Sequence, residues 1–127
     1  MSYQTEAVTT ATLSLALEAA TRRHQAIAAN IANANTEGYT PVKLSFEAHL
    51  AEARDALRAQ GSVDLLSLSG VHMELEPVLD AQGNPAAVRV DAEVAEMAAN
   101  AVHFQALTQG LSRHLSILAT AAGDGRK

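Results

Sequence analysis

A chain of 127 residues fits one domain, and 48% hydrophobic residues could in principle cover a core. The net charge is −5 and the nine Lys and Arg are scattered, so nucleic acid is a poor candidate partner and no polybasic membrane anchor is visible. The absence of cysteine excludes a disulfide frame, a thiolate nucleophile and a Cys-based zinc site, and no run approaches the ~20 apolar residues of a membrane span.

The hydrophobic fraction is unusual in kind. Alanine is abundant, tryptophan is absent, and only two Phe and two Tyr are available to fill an interior. Small-residue helices that pack closely, with neighbours from other subunits, account for this better than a private core. The segment Met1 to Leu17 has no basic start, and Glu18 breaks its apolar run, so a cleaved signal peptide is not expected.

The first predicted element is a helix from near Glu6 to Ala34. Thr10, Leu13, Leu17, Ala20, His24, Ile27, Ile31 and Ala34 recur in alternating steps of three and four, the seam of a helix that packs on another helix. At about 1.5 Å per residue it would extend roughly 40 Å, a length suited to a filament. Arg22 and Arg23 flank the seam, and His24 lies on it as a packed residue rather than a ligand. Asn30, Asn33 and Asn35 are poor inside a helix and good at its end, where a short amide can bond free carbonyls. Thr36-Glu37-Gly38 supplies a turn whose glycine can take positive φ, Pro41 stops the helix from resuming, and Tyr39 is the large side chain able to anchor the corner.

From Leu44 the spacing of Phe46, Leu50, Ala53 and Leu57 predicts a short second helix stopped by Gly61. Ser62 to Gly70 reads as a loop. Val71 to Glu76 alternates apolar and polar residues, and after Asp80 to Pro85 the run Ala86 to Val90 alternates again. This predicts a β-hairpin with a long turn, resting on a helix or a neighbour. A second long helix is expected from about Asp91 to Ala122, ended by Gly123 and Gly125. Its seam runs through Val94, Met97, Ala101, Phe104, Thr108, Leu111, Leu115, Leu118 and Ala122. Asp91, Glu93 and Glu96 favour the positive end of its dipole. Gly110, inside it, predicts either a close approach by another backbone or a bend.

The expected fold is therefore mainly α. Two long antiparallel N- and C-terminal coiled-coil-like helices (1–41 with the Asn/Gly/Tyr turn, and 91–127) flank a middle segment, 42–90, of short helix, loop and hairpin, together one structural domain.

The run Asn30-Ile31-Ala32-Asn33-Ala34-Asn35-Thr36-Glu37-Gly38-Tyr39 resembles the N-I-A-N-x-x-T-P-G-Y signature of bacterial flagellar rod and hook proteins, departing at Glu37 where that family usually has proline. Phe46 and Glu47 extend the likeness. Val88, Asp91, Glu93, Val94, Asn100, Phe104, Gln105 and Ala106 echo the family's C-terminal pattern, with Arg89, Val94 and Phe104 in place of its Asp, Met and Tyr. The short length and Gln105-Ala106-Leu107 resemble the FlgB type of proximal rod protein. The resemblance implies a rod subunit in the periplasmic part of the basal body, exported by the flagellar type III apparatus without signal cleavage. Its implied partners are copies of itself, other rod proteins, and the basal adaptor or export gate. Its implied working residues are structural: the turn motif Asn30, Asn33, Thr36, Gly38 and Tyr39, and the seams Leu13, Leu17, Ile27, Ile31, Val94, Met97, Phe104, Leu111, Leu115 and Leu118.

No catalytic, cofactor or metal site is expected from the residues. Gly110-Leu111-Ser112-Arg113-His114 lacks the second glycine of a nucleophile elbow and lies within a helix. His103 and His114 are about three turns apart, too far to share an ion. Glu93 and Glu96 are better explained by the helix dipole than as an acid/base pair. The alternative from another class is a soluble helical adaptor or export chaperone binding a client helix, which would share the acidic, alanine-rich composition but not explain the Gly38-Tyr39 turn.

Overall fold

The computed structural model describes residues 3–46, 55, 58–59, 61 and 68–125. Two helices dominate it: α1, Tyr3–Ala32, and α2, Val90–Asp124. At about 1.5 Å per residue they extend about 45 and 52 Å. They run antiparallel, since Asn30 of α1 meets Glu93 of α2 while Ala20 meets Asn100, further along α2.

Their composition explains how they persist with so little bulk. On α1 the buried residues are mostly alanine, and the buried apolar residues among those described are Ala19, Ala20, Ala26, Ile27, Leu68 and Val71. Exposed Thr and Ser residues, ordinarily weak helix formers, bond the carbonyl four residues back. Thr9, Thr12, Thr21, Thr108, Ser116 and Thr120 all do so. Gly123 is helical and Gly125 caps α2, donating its N–H to Ala121 O at 3.1 Å.

Between the helices lies a two-stranded antiparallel sheet of β1, Val42–Ser45, and β2, Glu74–Pro77. Lys43 faces Glu76 and Leu44 faces Leu75 across the ladder, an opposite-charge pair and an apolar pair on alternate faces. This corrects two sequence expectations. Leu44 and Ser45 are strand, not the start of a helix. Pro41 delivers the chain extended and Val42 is β-branched, so a non-local partner wins over the local three-four spacing. The remainder of the expected middle helix, with Leu50, Ala53 and Leu57, lies outside the described residues. Asp55, Arg58 and Ala59 are helical, and Gly61 has the positive φ of 71° expected of its stop.

The hairpin is the second correction. The chain does reverse at Asp80 to Asn84, where Asp80 Oδ1 accepts the N–H groups of Gln82 and Asn84 at 2.9 Å each and Gly83 takes φ 82°. Beyond the turn only the Leu79–Pro85 bridge and the bond from Ala86 N–H to Val78 O form, and residues 86–89 make no strand. Pro77 and Pro85 have no N–H to extend a ladder there, and β2 takes β1 as its partner instead.

Candidate functional site

Among the described residues, the densest polar network lies at the corner where α1 ends. Asn30 is 3% exposed and uses all four of its side-chain hydrogen-bonding positions. Its Nδ2 donates to Val42 O at 2.9 Å and to Glu93 Oε2 at 3.3 Å. Its Oδ1 accepts Val42 N–H at 2.9 Å and the Tyr39 hydroxyl at 2.8 Å. One amide thus binds the end of α1, the turn, the start of β1 and the first turn of α2. Val42 receives it as a strand partner would, with both backbone groups satisfied.

The other motif residues build the turn that brings Tyr39 and Val42 within reach. Asn33 Nδ2 donates to Ala29 O at 2.9 Å, closing the last turn of α1, and the Thr36 hydroxyl bonds Asn33 Oδ1 at 3.2 Å. Tyr39 N–H reaches Thr36 O at 3.3 Å across Glu37-Gly38, and Gly38 has φ 77°. An i to i+3 bond with a glycine of positive φ at the third position is the pattern of a type II turn, in which Glu37 holds the position that favours proline. Glu93, read from sequence as a dipole partner, has the additional role of accepting from Asn30; nothing local in the sequence signals a contact 63 positions away.

Around this corner Arg23 lies over the Phe46 ring at 5.7 Å, and Arg22 pairs with Glu18 at 3.1 Å on the exposed side of α1. No helix of the described residues is long and apolar enough to cross a membrane.

Along the helices, the contact between α1 and α2 is rotated from the expected seams. On α2 the less exposed residues are Glu93, Met97, Asn100, Leu107, Leu111, His114 and Leu118, while Val94, Ala101, Thr108 and Leu115 are exposed. Phe104 is 40% exposed, Val94 51% and Leu115 48%. On α1, Ile27 and Asn30 are buried, Leu13, Leu17, Arg23 and Ile31 are half-buried, and His24 is exposed, not packed in the seam. At alternate positions on both helices the intramolecular contact therefore uses the residue one step earlier than the sequence pattern suggests. One step is about 100° of helix, so the mean rotation is roughly 50°. Because the helices are antiparallel, both apolar stripes turn toward the same side of the pair, where Ala20, Thr21 and His24 face Ala101, Phe104 and Gln105 across an open groove. Gly110 meets no close backbone within the chain, since a Cβ built there has nothing within 4 Å.

Residues 12–40, less than a third of the chain, match the family model described as flagella basal body rod protein. Over these residues the chain is similar to flagellar basal body rod proteins. The matched segment ends one residue past Tyr39 and contains Asn30, Asn33, Thr36, Gly38 and Tyr39, the residues that close the corner. No curated relative matches the chain. The rod family is a structural one rather than an enzyme family, and the match supports a place in the flagellar basal body in association with its other components.

Proposed function

We propose that the chain is a structural subunit of the proximal rod, of the FlgB type, assembling helically with copies of itself and with other rod proteins to carry motor torque. The observation that carries this is the coincidence of the rod-family segment with the Asn30 corner, which fixes how the two terminal helices leave the turn. The surface supports it. Described residues Tyr3, Leu75, Val94, Val102, Leu115 and Ile117 are large, apolar and exposed, whereas the buried set is mostly alanine. A monomer arranged this way leaves on its surface the side chains that ordinarily fill a core, and subunit contacts would bury them.

In this reading the seam residues Leu13, Leu17, Ile27, Ile31, Val94, Met97, Phe104, Leu111, Leu115 and Leu118 divide between the intramolecular pair and neighbours. The N-terminal rod helix with its Asn/Gly/Tyr turn (1–41), the middle segment (42–90) and the C-terminal rod helix (91–127) act as one domain. Export proceeds through the flagellar type III apparatus without signal cleavage, with the basal adaptor or export gate as the first contact. Neither nucleic acid, cofactor nor catalysis enters. Electron microscopy of basal bodies from cells lacking the chain tests this: the rod should be missing from its base, and an intact rod would refute the assignment.

A further inference from the structure

We propose that Asn100 sets the axial alignment of α2 on α1, holding the pair against a second alignment displaced by one heptad. The inference concerns the single chain and does not rest on the rod reading.

The apolar pattern alone does not choose between the two. On α2 the less exposed residues recur at multiples of seven, Asn100, Leu107 and His114 in one row and Met97, Leu111 and Leu118 in another. On α1 Leu13, Ala20 and Ile27 form a row of the same spacing; Leu13 is half-buried and the other two are buried. A seam with a repeat of seven superimposes on itself when one helix slides by seven residues, about 10.5 Å along the axis. If α2 slides toward the C-terminal end of α1, Leu107 comes to face Ala20, an apolar pair that the seam accepts. A slide the other way brings Glu93 to Ala20 and is opposed by the burial of a carboxylate.

Asn100 opposes the first slide. It is 6% exposed, and its Nδ2 donates to Ala20 O at 2.8 Å, a buried bond across 80 positions of sequence. An amide reaches a carbonyl inside a neighbouring helix only where the side chains about that carbonyl are short. Ala19 and Ala20, 2% and 0% exposed, supply such a place. One heptad away Asn100 would face Ile27, whose branched side chain fills the space the amide needs, and a donor would be left buried and unpaired.

Asn100 is costly even in the observed alignment. Its Oδ1 is buried with no hydrogen-bond partner, so an apolar residue of similar size would hold the helices together at least as well. Such a residue would not distinguish the two alignments. A single buried asparagine that lowers stability and specifies register plays this part in coiled coils. The corner opposes the slide less. Its bond from Asn30 to Glu93 is long at 3.3 Å, and residues 86–89, which lead into α2, belong to no strand that would hold them in place.

The chain has no cysteine, so a pair of spin labels can be attached at chosen sites. Ser14→Cys on α1 and Ala95→Cys on α2 are both exposed positions, and double electron–electron resonance on the dilute full chain reads the distance between them. With Asn100 intact, one distance is expected. Asn100→Leu should add a second, longer by roughly 10 Å because the slide carries Ala95 away from Ser14, while the chain melts close to or above the parent. Asn100→Ala, which cannot crowd the seam, should also show the second distance, and Glu93→Ala, which removes the corner bond only, should keep one. A residue that merely stabilises the pair behaves in the opposite way, its loss lowering the melting temperature and leaving one distance. That result overturns the proposal, as do two distances in the parent or in Glu93→Ala. If Asn100→Leu fails to fold, Asn100→Ala decides: a single distance, or an unfolded chain, overturns it.

Discussion

Replacing Asn30 by alanine removes four hydrogen bonds at once, and their unequal exposure sets the magnitude. Val42 loses partners for both its N–H and its C=O at a half-buried position, at about 1 kcal/mol each. Tyr39 is half-buried and can turn its hydroxyl to water, and the Glu93 contact is long at 3.3 Å, so these two together add about 1 kcal/mol. Alanine's better helix propensity returns about 0.5 kcal/mol. The net loss is about 2.5 kcal/mol, a large share of the 5–15 kcal/mol available to a domain. For this size it corresponds to a melting temperature lower by roughly 10 °C.

Asn30→Asp separates the donors from the acceptors. It keeps the oxygen that receives Val42 N–H and Tyr39, loses the amide donors, and sets a carboxylate against Glu93. Burial and that neighbour would raise the folded-state pKa of the new carboxyl above its unfolded value of about 3.9. The folded form then binds the proton more tightly than the unfolded form. The destabilisation is therefore small below pH ~4 and grows as pH rises through the raised folded value, reaching its maximum near neutrality. Urea unfolding followed by circular dichroism at several pH values reads both effects. If Asn30→Ala shifts stability by less than about 0.5 kcal/mol, the usual scatter of a neutral surface change, or if the Asp variant is insensitive to pH between 4 and 7, Asn30 does not hold the corner.

Three further substitutions test neighbouring claims. Glu37→Pro places proline at the second position of the turn closed by Tyr39 N–H and Thr36 O, and should raise stability by about 0.4–1 kcal/mol in the same unfolding assay; a loss would show the turn is not of this type. Tyr39→Phe keeps the ring and deletes the bond to Asn30 Oδ1, lowering stability by about 1 kcal/mol, and the loss should vanish in the Asn30→Ala background, as a double-mutant cycle would report. Asn100→Leu exchanges one bond and one orphaned oxygen for apolar packing and should leave the isolated chain within about 1 kcal/mol of the parent or above it; a loss of 3 kcal/mol would mean the amide is fully satisfied in solution.

How much could be read beforehand depended on how local each feature was. The corner was legible residue by residue, because a helix stop, a positive-φ glycine and a turn lie within ten positions and each has its own chemistry. The long helices were legible from periodicity to within a few residues at their ends. The strand pairing was not. Val42–Ser45 and Glu74–Pro77 are each only four residues long and are joined across more than twenty-five positions, so neither carries a signal of its partner, and the apolar spacing after Leu44 pointed to helix. Glu93 was legible as a helix-start carboxylate and illegible as the acceptor for Asn30, since chain direction and distance between the helices decide that contact.

The rotated seams have a different origin. Periodicity reports the centre of an apolar stripe, and that centre coincides with the partner helix only when one partner covers the whole stripe. Here the stripe of α2 extends from Met97 and Leu111, in contact with α1, round to Val94 and Leu115, which are half-exposed. The stripe of α1 extends likewise from Ile27 toward His24. A two-helix pair can bury only one edge of each. The offset between periodicity and intramolecular contact therefore measures how much of the hydrophobic pattern this chain leaves for others, and its equal sense on both antiparallel helices puts that remainder on one side. Among the described residues the fully buried apolar side chains of the two helices are Ala19, Ala20, Ala26 and Ile27, so the isolated pair buries little bulk. The larger side chains, Phe104, Val94 and Leu115, would add their burial only when a neighbour covers them, so under the proposed rod assembly completion of the fold and joining of the rod are one event.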